Sequence, residues 1–159
     1  MSIPERLTTY LDQRGLRYDV RTHEHSHTSA ECARLAHITP HQLAKPVLLE
    51  DDAGCVMAVV PGDRDVHVGR LARMLGRRQL HLCDEERIAI LFADCDRGAL
   101  PPVGMAWGVE TVFDDALEES DLVFMEGGDH ESLLQMSHDS FHAMADMARH
   151  GRICREAMH

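Results

Sequence analysis

The sequence predicts an α+β fold, a single domain in which a mixed β-sheet is flanked by helices. Three observations carry that expectation. Helical and strand patterns interleave without strict βαβ alternation, one tight hairpin is plainly written, and no linker or shift in composition divides the chain. A chain of 159 residues suits one domain, read as residues 1–159, and is long enough to bury a core.

The elements follow in order. Residues 3–14 read as a helix: Pro4 suits a first turn, Leu7 and Leu11 share a face, and Gly15 closes it. Residues 17–22 read as a strand. Thr28 and Glu31 have capping-box spacing for a helix through Cys32, Ala33, Leu35 and Ala36 that stops before Pro40. Strands 45–50 and 55–60, joined by the turn DDAG, form the clearest hairpin. Residues 67–76 form a helix closed by Gly76, 79–83 a short strand, and 84–92 a helix with acids in its first turn. Strands at 108–113, 121–126 and 132–137 come after a Gly/Pro loop. A last helix, 138–149, takes Ser137 as its N-cap, turns Phe141, Met144, Ala145 and Ala148 inward, and stops before Gly151.

Composition narrows the function. No apolar run is long enough to span a membrane and the first residues lack a signal peptide's apolar segment, so a cytoplasmic protein without a membrane partner is expected. Five cysteines, odd in number and without CxxC spacing, fit reduced thiols better than a disulfide framework or a zinc site. A formal net charge of −11 argues against DNA and against broad nucleic-acid binding, whose affinity comes from neutralised phosphates. It leaves room for a local grip on one end of a nucleic acid. GRLARMLGRR, with Arg70, Arg73, Arg77 and Arg78, is either such a patch or a solvated helix face.

Four stretches could carry chemistry. Lys45 is the only lysine beside fifteen arginines, and it opens the apolar run Val47, Leu48, Leu49. It is either a compact point charge placed where a guanidinium fork would not serve, or a strand-end lysine snorkelling to water. DCDRGALPPVG (94–104) must be a rigid loop, since its prolines and glycines suit neither helix nor central strand. It either recognises a ligand through exposed backbone or simply turns the chain. In HEHSHTS, His23, His25 and His27 would share one face of an extended chain and could ligate zinc or copper, yet no thiol or carboxylate is clearly paired with them; no metal site and no cofactor are expected. EGGDHESLL presents Asp129 and His130 at a strand end, either toward a polar substrate or on a solvated turn. No nucleophile elbow, Walker loop or GxGxxG is present, so a covalent nucleophile is not indicated.

In order, AKPVLL, AVVPGD, FADCDRGALPPVG, the aspartate of VFDDAL and EGGDHESLLQMS resemble the YbaK/EbsC-like aminoacyl-tRNA deacylases, relatives of the editing domain inserted in bacterial prolyl-tRNA synthetases. The resemblance runs from about His23 to about Met147. It implies an α+β domain with a barrel-like mixed sheet, and hydrolysis of the ester joining an amino acid to a tRNA ribose without a protein base. Lys45 and Gly98 would be its catalytic positions. Thr28, Pro46 and Ala99 would bind substrate, as would Pro101, Pro102, Asp129 and His130. Its partners would be the aminoacyl-tRNA 3′ end and prolyl-tRNA synthetase, and its substrate tRNA-Pro bearing a small wrong amino acid. Pro46 departs from the small polar residue usual after the lysine. Proline removes a backbone donor and a side-chain hydroxyl or amide from the wall, so amino-acid specificity is not carried over. A non-catalytic module binding a small nucleotide or aminoacyl ligand is the alternative, and a histidine-based metal binder a distant third.

Overall fold

The computed structural model describes residues 3–26 and 28–156; His27 of the histidine tract lies outside them. Its centre is a five-stranded mixed sheet grown from the predicted hairpin. Strands β2 (Ala44–Asp51) and β3 (Gly54–Pro61) pair antiparallel along their length, with Lys45 opposite Val60 and Asp51 opposite Gly54. β6 (Glu110–Asp114) joins β3 in parallel, and β9 (Arg149–Gly151) joins β6 in parallel. On the outer edge of β2, β5 (His81–Leu82) pairs only with Leu49 and Glu50. A second, antiparallel sheet runs β1 (Asp19–Thr22), β8 (Ser132–Ser137), β7 (Leu122–Glu126). β4 (Arg64–Val66) and β10 (Cys154–Glu156) form a two-stranded ribbon.

The helices are α1 (Glu5–Gln13), α2 (Ser29–Leu35), α3 (Val68–Leu75), α4 (Glu85–Leu91) and α5 (His138–Asp146). Two starts, at Thr28 and Ser137, fall where the sequence signals put them. The side chains of Thr28, Asp84 and Ser137 accept from the amides of Glu31, Arg87 and Ser140, satisfying donors that a helix start leaves orphaned. Gly76 ends α3 in the left-handed region, with φ 67°.

Strand alternation divides β2 and β3 between two cores. Ala44, Leu48, Met57 and Val59 pack with Phe113 and Phe141, whereas Leu49, Val56, Ala58 and Val60 pack with Leu71 and Ile153. Burying one such leucine or phenylalanine stabilises by roughly 1.5–3 kcal/mol. A single polar contact contributes about 1 kcal/mol net. The fold therefore rests on these faces, and individual polar residues can be committed to a ligand.

The α+β class with mixed sheets and flanking helices is as expected, but the described strands do not close into a barrel. They form three sheets, and the first two meet at a parallel bridge between Leu43 and Phe124. β5 is too short to extend along β2, and Pro46 has no N–H with which to continue a ladder there. The last helix also ends earlier than its pattern suggests, at Asp146. Residues 149–151 pair with β6 instead, and Gly151 lies within that strand, where an added Cβ would meet Met74 Cε at 2.8 Å. The glycine serves close packing, not helix termination. β4 and β10 were not expected, being short and polar. Asp114 helps seat the second: its Oδ1 accepts from the amides of Ile153 (2.7 Å) and Cys154 (2.9 Å).

Candidate functional site

A cavity of about 140 Å³ lies between β2, α4, the 95–100 segment and the end of β7. Its size is about that of a dry cavity able to hold one six-membered ring. Pro46, Leu48, Ile88, Phe92 and Leu100 make the apolar wall. Alternation along β2 puts Pro46 and Leu48 on one face, and the i, i+4 spacing puts Ile88 and Phe92 on one side of α4 and its end. Pro46 stands where β2 has lost its outer partner, so its missing N–H weakens no ladder bond on that edge. Phe92 is steadied by the Trp107 ring, 5.1 Å between centroids.

Two turns complete the wall, and they are tied together. The Asp96 amide donates to the Gly128 carbonyl (2.8 Å), and His130 Nε2 lies 2.5 Å from the Arg97 carbonyl oxygen. A carbonyl can only accept, so Nε2 carries the proton in this contact. The His130 backbone is itself left-handed (φ 62°), and its carbonyl accepts from the Ser26 amide and hydroxyl. Gly98 reaches the cavity with φ 80°, a conformation glycine adopts without steric penalty. The Asp129 carboxylate accepts from the Glu131 and Ser132 amides and the Ser132 hydroxyl, at 2.7–3.0 Å. Burial acts to raise its pKa, but those hydrogen bonds win and hold the carboxyl below its ordinary value.

The expected site residues do not all gather at the cavity. Pro46 and Gly98 line the cavity. Ala99, Pro101 and Pro102 are buried behind it and fix the loop, while Asp129 and His130 brace the turns from the β7 side. Thr28 is an exposed helix cap. Lys45 stands apart: its side chain leaves β2 on the face opposite Pro46, and Nζ donates to the Arg64 carbonyl (2.5 Å) with Asp65 Oδ1 at 3.4 Å. It is not among the residues lining the cavity.

Glu126, which no sequence motif marks out, also lines the cavity and is only 4% exposed. Burial pushes its carboxyl up to about 7, with the Cys32 hydrogen bond opposing and the Asp129 charge adding. A carboxylate closing a buried strand before two glycines was the available signal. The nearby thiols are no nucleophiles at neutral pH, because burial pushes Cys32 and Cys95 up to about 12. Of the arginine-rich stretch, Arg77 is bound to Asp51 and the Gly54 carbonyl, while Arg70, Arg73 and Arg78 are exposed.

Among the described residues, Glu50, Cys55 and Cys83 form one group close enough to hold a metal ion, brought together by β2, β3 and the chain beyond β5. Arg87 already serves that carboxylate, its Nε 2.9 Å from Glu50 Oε2.

Residues 23–143 match the model of the aminoacyl-tRNA editing domain. The chain belongs to that family. In sequence the editing domain is similar to a segment of the proline–tRNA ligase of Bacillus cytotoxicus, 29% identical over 87 residues, covering 55% of this chain. It spans between 11% and 15% of the length of the curated relatives it matches, all of them proline–tRNA ligases. In fold it is similar to the crystal structure of a hypothetical protein (TM-score 0.83, 23% identity, 95% of this chain and 100% of the other). It is likewise similar to a structure described as a candidate trans-editing enzyme for prolyl tRNA synthetase (TM-score 0.80, 21% identity, 94% and 95% covered). No helix among the described residues is long and apolar enough to cross a membrane.

Proposed function

We propose that this editing domain is a trans-acting deacylase that hydrolyses the ester between a small wrong amino acid and the 3′-terminal ribose of tRNA-Pro, working in the cytoplasm beside prolyl-tRNA synthetase. The observation that carries the reading is the small cavity walled by Pro46 and Gly98 in a chain of the editing family. Its apolar wall suits a short aliphatic side chain, and two mutually braced turns hold backbone groups at fixed positions beside it. Fixed dipoles around a bound ester stabilise developing charge without reorganising at the moment of reaction. Water adds to the ester carbonyl carbon, the bond to the ribose oxygen breaks, and that oxygen regains a proton. No buried thiol competes with water as nucleophile. Lys45, on the other face of β2, serves the ribose-phosphate outside the cavity, which requires its ammonium to leave Arg64 and Asp65.

The same Lys45 contacts favour a second reading, a module that binds an aminoacyl or small nucleotide ligand without hydrolysing it, because the ammonium is already engaged. A panel of aminoacyl-tRNAs incubated with the protein, with ester loss followed in time, tests the two. Loss of one or a few small aminoacyl esters supports the deacylase; binding of charged tRNA without any ester loss supports the module.

A further inference from the structure

Glu126 poses a problem that no group among the described residues fully solves. It is 4% exposed, it lines the cavity, and its Oε1 has no hydrogen-bond partner among the described residues. A carboxylate taken out of water is costly unless a cation or donors replace the lost hydration. Among the described residues, the groups that act on Glu126 supply no cation. Cys32 offers one thiol hydrogen bond, and Asp129 adds a second negative charge. Along the cavity wall stand Glu85 and Asp96 as well, against one guanidinium, that of the exposed Arg97. Such a wall disfavours an anionic ligand and favours a small cation.

We propose that Glu126 receives the α-ammonium group of the aminoacyl ligand, so that the cavity selects free-amino esters over N-blocked ones. The inference rests on the editing reading above and adds what the cavity recognises. An ammonium brings the missing charge and the N–H donor that Oε1 lacks, while Pro46, Leu48 and Phe92 are placed to take a short apolar side chain. Desolvation then strengthens the pair on both sides. A carboxyl held at about 7 by burial and the Asp129 charge loses its proton as the ammonium arrives.

The test uses two non-hydrolysable probes, adenosine carrying alanine through a 3′-amide and the same compound with its amine acetylated. Calorimetric titration of the wild-type protein near pH 6.5 is expected to show at least about tenfold tighter binding of the free amine, with a proton released. Glu126→Gln, similar in shape, is expected to bind both probes alike. Equal binding of the two probes by wild type overturns the ammonium assignment alone, and needs no variant to be folded. Discrimination retained in a folded Glu126→Gln protein overturns it too. Failure of wild type to bind either probe overturns the aminoacyl reading and this inference with it.

Discussion

His130 Nε2 lies 2.5 Å from the carbonyl oxygen of Arg97, and this contact fastens the β7–β8 turn to the loop that carries Gly98. The cavity wall is thus one braced unit. His130→Asn keeps a side chain that tolerates a left-handed backbone but is too short to reach Arg97. The expected result is a stability loss of about 1 kcal/mol, accompanied by at least a roughly tenfold fall in single-turnover hydrolysis because the loop is no longer held in place. Urea denaturation and hydrolysis on the same preparation check it; a normal rate in the destabilised protein would make the contact merely structural.

Gly98 has φ 80°, so a methyl there is strained whatever the space around it. Gly98→Ala is expected to cost about 1 kcal/mol of stability. Because Gly98 also faces the cavity, its rate should drop by about an order of magnitude or more. Thermal melting beside hydrolysis separates the effects. A collapsed melting temperature with normal turnover in the folded fraction would reduce the loop to a turn.

Glu126 predicts a pH dependence of stability. Its carboxyl is ordinary (4.5) in the unfolded chain and raised to about 7 in the fold. Between those values the folded protein keeps a proton that the unfolded chain has released, so stability from this group falls as pH rises and stays lost above the window. Glu126→Gln cannot titrate. Its melting temperature should therefore improve relative to wild type between about pH 5 and about pH 8. Parallel curves for the two proteins would contradict the burial.

Lys45→Ala removes the contacts to Arg64 and Asp65, both part-exposed, and should cost no more than about 1 kcal/mol. Most deacylation is expected to vanish with it. Lys45→Arg should also be impaired, since a planar fork does not replace a point charge. Full activity in a well-folded Lys45→Ala protein would strike the lysine from the mechanism.

What the sequence made legible was mostly local. The β2–β3 hairpin was readable from alternation plus the DDAG turn, and two helix starts from Thr28 and Ser137, because each signal acts within a few residues. Arg64 and Asp65 were invisible as partners of Lys45, since β4 is a short polar strand fixed by pairing with β10. Gly151 looked like a helix stop because its crowding by Met74 exists only in three dimensions. Of the cavity lining, Gly98 and Pro46 were named from motif and resemblance. Glu126 was not, because its burial depends on Cys32 and the cavity wall, contributed by distant segments.

The most direct measurement is single-turnover hydrolysis of alanyl-tRNA-Pro by the wild-type protein, with prolyl-tRNA-Pro as the paired control. The alanyl ester is expected to be lost at least about tenfold faster than without protein, with the correctly charged tRNA spared. Alanyl and prolyl esters that both decay at the uncatalysed rate, while charged tRNA still binds the folded protein, would contradict it.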